Sequence, residues 1–254
     1  MFPCIFVNHG AGPAHIHKRR SDPITAHILD VGERFNQAEN KPKAILVISA
    51  HHEASPSLKV SSGFQSNRYD YKYPVRADPE LAQTVQNLLQ KNNIRCVLDK
   101  KHELDHGAST PLKIAFPKAD IPVVALSIHK SYDAKLHIKI GEALQPLREQ
   151  GVLIMGSGMS FHNLGALGWS SYGSATGYQF DQKLTEAITD PDPKRRNKIL
   201  SKWDKELPGA RNAHPEEDHL MPLMVVAGAA GPDIGQQSSS FNFMGAACSG
   251  YSFQ

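Results

Sequence analysis

The sequence has no unbroken apolar run approaching the roughly 20 residues that a membrane-spanning helix requires, so a membrane protein is not expected. Cysteine is scarce: Cys4, Cys96 and Cys248 stand far apart and form no C-x-x-C pair, which argues against a disulfide scaffold and a thiolate metal site. Excess charge of one sign is also lacking, with 28 basic against 25 acidic residues and a formal charge of +3. The densest basic cluster, Lys194 to Lys198, contains no aromatic residue, so nucleic-acid binding has no footprint here. The opening residues MFPCIFVNHG carry no basic segment before a long apolar stretch and no small-residue cleavage site, and the expected location is the cytosol. Gly156-Ser-Gly158 is glycine-rich but lacks the Lys-Ser/Thr of a phosphate-binding loop.

What is present is the material of an ordinary folded enzyme. The 254 residues are 40% hydrophobic and 21% charged, enough chain to bury a large core. Ala44 to Ser49 (AILVIS) is a continuous apolar run of the kind that forms a strand buried on both faces; Ile121 to Ile128, Val152 to Met155 and the shorter Ile5 to Val7 have the same character. Between them the spacing predicts helices over Asp78 to Gln90, with Pro79 at the first helical position, and over Ala134 to Glu149. Phe180 to Trp203 reads as two helical pieces broken at Asp190 to Pro193, and Glu217 to Ala230 as a helix stopped by Gly231-Pro232. A Ser/Gln/Gly-rich connection then leads to a last strand near Phe241 to Met244. Strands alternating with helices, without repeat or linker, predict one α/β domain over 1–254.

The unusual quantity is 13 histidines. His9, His51 and His162 each follow the end of an apolar run. In an open α/β sheet the carboxyl ends of parallel strands emerge at one edge, so these three should converge. Imidazole gains little from burial and must satisfy two ring nitrogens, so packing alone does not account for the pattern, and a metal does. His219 is read into the first turn of the last helix, beside Glu216, Glu217 and Asp218; an imidazolium is unfavourable there, which favours a neutral, ligating ring. His106 lies in a Gly-containing loop, and His214, held extended before Pro215, is a candidate substrate contact. Zn(II) and Fe(II) both accept imidazole. His52 should face away from His51 in an extended chain, while His15, His17, His27, His102, His129 and His137 read as ordinary polar or helical histidines.

Five stretches in order carry a resemblance: Asn8 to Pro13 (NHGAGP), Ile48 to Glu53 (ISAHHE), Leu104 to Leu112 (LDHGASTPL), Gly156 to Leu164 (GSGMSFHNL) and His214 to His219 (HPEEDH). Together they resemble the class III extradiol ring-cleavage dioxygenases, in the branch of the 4,5-DOPA extradiol dioxygenases. The resemblance implies a single α/β domain with a central mixed β-sheet flanked by helices. It implies a mononuclear non-haem metal, Fe(II) in ring-cleaving members and Zn(II) in some, held by His9, His51 and His219, with Glu217 or Asp218 as an alternative third ligand. His162 matches the acid/base histidine and His106 a second active-site histidine. The implied reactants are a small catechol-type diol, DOPA or a relative, and O2, with ring opening to a semialdehyde. Two positions depart from the pattern: His52 stands where the family usually has Trp, and Ser109 where an aromatic usually follows Ala. If these side chains line the pocket, the departures reshape it. A zinc hydrolase on the same ligands and a non-enzymatic binding protein are the competing expectations.

Overall fold

The computed structural model describes residues 1–64, 73–168 and 171–254, without the side chains of 171–176. In chain order it runs β1 (Cys4–Asn8), α1 (Pro23–Phe35), β2 (Ala44–Ala54), β3 (Leu58–Ser61), α2 (Pro79–Lys91), β4 (Cys96–Asp99), α3 (His106–Ala115), β5 (Val123–His129) and α4 (Ala134–Leu144). It continues with β6 (Val152–Gly158), α5 (Ser171–Ile188), α6 (Pro193–Leu200), α7 (Trp203–Glu206), α8 (Ala210–Ala213), α9 (Met221–Ala229), β7 (Gly235–Phe243) and β8 (Ala246–Phe253).

The described strands form one mixed sheet of eight in the order β4-β3-β5-β2-β6-β1-β8-β7. The four apolar runs are its centre: β5, β2, β6 and β1 lie parallel, with Ile48 beside Leu126 on one side and Gly156 on the other. Neighbouring residues on a strand point to opposite faces, and β6 shows what covers each. Ser157 donates its hydroxyl to the Gly107 carbonyl of α3. On the opposite face, a Cβ at Gly158 would lie 2.1 Å from the His219 carbonyl oxygen, beside α9. Only glycine permits that approach.

The last helix is shorter than the sequence predicts. Asp218–Leu220 forms a 3-10 turn, and α9 starts at Met221 with proline in its first turn. All of α9 is buried, so its last carbonyls cannot use water. Two arginines satisfy them: Arg148 donates to the carbonyls of Ala229 (3.1 Å) and Ala230 (2.8 Å), and Arg196 to those of Ala227 (2.9 Å), Gly231 (3.0 Å) and Asp233 (2.7 Å). Positive charge at a helix C-terminus also matches its dipole.

The polar connection before the last predicted strand is itself strand. Gly235 to Ser240 belongs to the edge strand β7, whose Gln236, Gln237 and Ser238 are exposed. β8 is buried throughout, but its Ala-Ala-Cys-Ser-Gly start has no β-branched residue to announce it. Among the described residues no helix is long and apolar enough to cross a membrane.

Candidate metal centre

β1 ends at Asn8, and the next residue, His9, is fully buried. Its Nδ1 lies 3.1 Å from the Ser157 hydroxyl. That hydroxyl spends its proton on the Gly107 carbonyl, so it accepts from His9, which must carry its proton on Nδ1. The Nε2 lone pair is then directed into the site. His219 is fixed the same way: its Nδ1 donates to the Asp218 carboxylate at 2.8 Å, leaving Nε2 bare. His51 completes the group from within β2, which runs on to Ala54 with a register shift against β5 between Ser49 and Glu53. The Nε2 atoms of His51 and His9 are 3.2 Å apart. One ligand atom from each of His9, His51 and His219 falls within 4.8 Å of the others. Converging ring nitrogens, two of them on rings whose far nitrogen is held by an oxygen, are the donor set of a histidine metal site.

His51 is exposed, so the centre opens to solvent on its side, while His9 and His219 are buried. Burial and the neighbouring histidines push His9 well below its ordinary range and His51 down to about 3. Both rings are therefore neutral, as a ligand must be.

Two further histidines border the three. The His162 ring stacks on His219 at 3.4 Å between centroids, 15° from parallel, and its backbone N–H donates to the Ala213 carbonyl at 2.9 Å. Burial and then His219 lower it to about 4. His106 opens α3 behind the N-cap Asp105, with its ring 4.1 Å from that of His51. Asp105 accepts from the Ala108 N–H (3.1 Å) and the Ser49 hydroxyl (2.6 Å), tying α3 to β2. A Cβ on Gly107 would lie 2.6 Å from the Ser49 Oγ and 2.9 Å from His51, which explains the glycine after His106.

The carboxylates considered as third ligand are engaged elsewhere. Glu217 pairs with Arg211 at 2.6 Å, and Asp218 backs His219. His162, Asp218 and His219 also have ligand atoms within 4.8 Å of one another, but there Asp218 meets the outer His219 nitrogen rather than the one facing His9.

His214 is 0% exposed. Its Nε2–H donates to the Ser160 carbonyl at 3.0 Å, and its ring packs on Phe180 and Trp203. It offers no surface to a substrate and instead supports the segment leading to His162. The departures at 52 and 109 do not open the pocket either. His52 faces the other side of β2 against His102, and buried Ser109 donates to the Asp105 carbonyl at 2.8 Å within α3. Ser157 enters the sequence only as the middle of Gly156-Ser-Gly158, with no signal there for its bond to His9.

The family model described as the catalytic LigB subunit of aromatic ring-opening dioxygenase matches residues 4–254. A 4,5-DOPA dioxygenase extradiol of Beta vulgaris is 41% identical over 238 residues, covering 89% of this chain and 86% of its own. A protein of the same name from Escherichia coli K12 is 33% identical over 242 residues, covering 89% and 84%. The crystal structure of an uncharacterised Escherichia coli K12 protein superposes with a TM-score of 0.79 at 27% identity, covering 100% of both chains. The chain therefore belongs to the family of the catalytic LigB subunit and is an aromatic ring-opening oxidoreductase.

Proposed function

We propose that the protein is a metal-dependent extradiol dioxygenase that opens a small catechol-type ring with O2, giving a semialdehyde, and that His9, His51 and His219 hold one Fe(II). The observation that carries this is the convergence of the three ligand nitrogens beside a solvent-exposed ring, in a chain similar to several 4,5-DOPA dioxygenases. A bound Fe(II) supplies open coordination positions and the redox capacity that ring opening by O2 requires.

The chain's own residues do the rest. Ser157 and Asp218 hold His9 and His219 in the ligating tautomer. His162, neutral near pH 7, accepts a proton from a diol hydroxyl at the site and returns it as the ring opens, the ordinary work of a positioned imidazole. Its stacking on His219 and the bond from its backbone to Ala213 fix where that nitrogen stands. His106, beside His51, contributes a second polar edge to the diol-binding side.

Oxygen uptake by anaerobically iron-reconstituted protein, over a panel of catechols including DOPA, tests the reading together with metal analysis. Uptake with a yellow ring-opened product, and loss of metal and turnover in His9→Ala, His51→Ala and His219→Ala, is expected. No uptake with any catechol despite one bound ion would move the assignment to a hydrolase or a binding protein. Full activity in all three variants would refute the ligand set.

A further inference from the structure

β6 ends at Gly158, and the residues from Met159 to His162 lie outside any strand. They are nevertheless tied down. The Met159 N–H donates to the His219 carbonyl at 3.1 Å, and the His162 N–H to that of Ala213 at 2.9 Å. Ser160 is buried and anchored three times. Its N–H donates to Asn8 Oδ1 at 2.8 Å, its carbonyl accepts from His214 Nε2 at 3.0 Å, and its hydroxyl oxygen accepts the Ser249 N–H at 2.8 Å.

Asn8, the last residue of β1, is fully buried, and its carboxamide is used at both ends. Oδ1 takes the Ser160 N–H, and Nδ2 donates to the Ser249 carbonyl at 3.0 Å. The ladder between β1 and β8 stops at Phe6 and Tyr251, so two residues farther on a side chain, not the backbone, makes the link to β8. Ionised aspartate has the shape but no donor for that carbonyl, and leucine has neither a donor nor an acceptor. The residue after it, His9, has restraints of its own: its N–H donates to the Gly158 carbonyl at 3.0 Å, and its ring is held by Ser157. What Asn8 fixes is therefore less His9 than the segment that leads to His162.

We propose that Asn8 is a positioning residue for the reaction: it locks the segment carrying His162 to the strand that leads into His9, and so sets where the proton-transferring nitrogen stands relative to the metal-binding rings. This rests on the reading of His162 as the acid/base group. Proton transfer needs donor and acceptor about 2.6–3.2 Å apart, and a misplacement of about 1 Å can cost about 100-fold in rate. A side chain that touches neither ion nor diol then governs turnover.

The variants are Asn8→Leu, which removes both bonds, and Asn8→Asp, which keeps an oxygen for the Ser160 N–H. In metal-free protein, amide hydrogen exchange at His162 should speed by about 10-fold or more in N8L through local opening, while Ile154 in β6 stays slow; N8D should return His162 toward the wild-type rate. With iron and the best catechol, N8L should bind one ion and keep its KM while kcat falls by about 10–100-fold, and N8D should recover turnover relative to N8L. In a His162→Ala background the leucine substitution should cost at most about twofold more, since both changes act through one group. Unchanged exchange at His162, acceleration that spreads equally to Ile154, or the same loss of kcat with and without the His162 imidazole overturns the proposal. If no catechol is turned over, the functional reading fails by itself. The exchange comparison needs neither ion nor substrate, and faster exchange at His162 in N8L would still uphold the clamp, while unchanged exchange would refute it.

Discussion

Ser157 touches no substrate, yet it decides which nitrogen of His9 carries the proton, since its hydroxyl gives to Gly107 and must accept from Nδ1. Ser157→Ala leaves that N–H unpaired inside the protein and lets the tautomers exchange. The expected result is a metal affinity about 10–100-fold weaker, as for other groups that orient ligating histidines, measured by competition with a chromophoric chelator, together with a loss of about 1–3 kcal/mol in urea unfolding of the metal-free protein from the buried groups left unpaired. His162 behaves oppositely. It stacks on a ligand without occupying a ligand position in the proposed set, so His162→Ala should keep its metal and lose turnover by about 10²–10⁴-fold, the usual contribution of general acid–base catalysis. Steady-state rates on the best catechol, with metal analysis of the same sample, separate the two; a variant with wild-type rates would remove His162 from the chemistry.

At the scale of elements, α9 is the piece held at both ends: His219 precedes its first turn and two buried guanidiniums close its last. Arg196→Leu would strip three carbonyls of their donor. Of these only the Ala227 carbonyl is in a fully buried bond, the other two being half-buried, so at about 1–3 kcal/mol for a buried group left unpaired a loss of about 1–3 kcal/mol is expected in urea unfolding; an unchanged transition would mean that water reaches all three carbonyls. The central strands were legible in sequence because a strand covered on both faces must be apolar without interruption. β3 and β4 are only four residues each and carry no such run. β7 was hidden because an edge strand can be polar. The site was legible to the same degree and for the same reason. His9 follows β1 directly and His51 follows its apolar run inside β2, whereas Ser157 lies past the apolar run of β6 in a Gly-Ser-Gly stretch, and the burial of His214 depends on Phe180 and Trp203, which no local pattern ties to it.

For the whole molecule, buried neutral histidines outside the metal centre add to its acid sensitivity. His137 donates Nδ1–H to the Asp133 carbonyl at 2.7 Å and accepts the His129 N–H on Nε2 at 3.0 Å, so no nitrogen is free to take a proton. Burial lowers it to about 4, and His27 likewise to about 4, from an ordinary 6.5. Above pH 6.5 neither ring is charged in either state and neither affects stability. Between 6.5 and about 4 the unfolded chain binds protons that the folded chain refuses, so stability falls with pH by up to about 1.4 kcal/mol per unit for each histidine. Urea midpoints from pH 7 to 4.5 should show this slope, and His27→Gln should flatten it; an unchanged slope would place the acid sensitivity elsewhere. The Ser157 bond to His9 spans 148 positions and the contact between His9 and His51 spans 42, so cutting the chain in the loop between β2 and β3 parts His9 and His51 from Ser157 and His219. Neither fragment carries all three proposed ligands, and mixing them brings the three together only by rebuilding the sheet around β2 and β6. Metal uptake thus becomes an assay for fragment complementation.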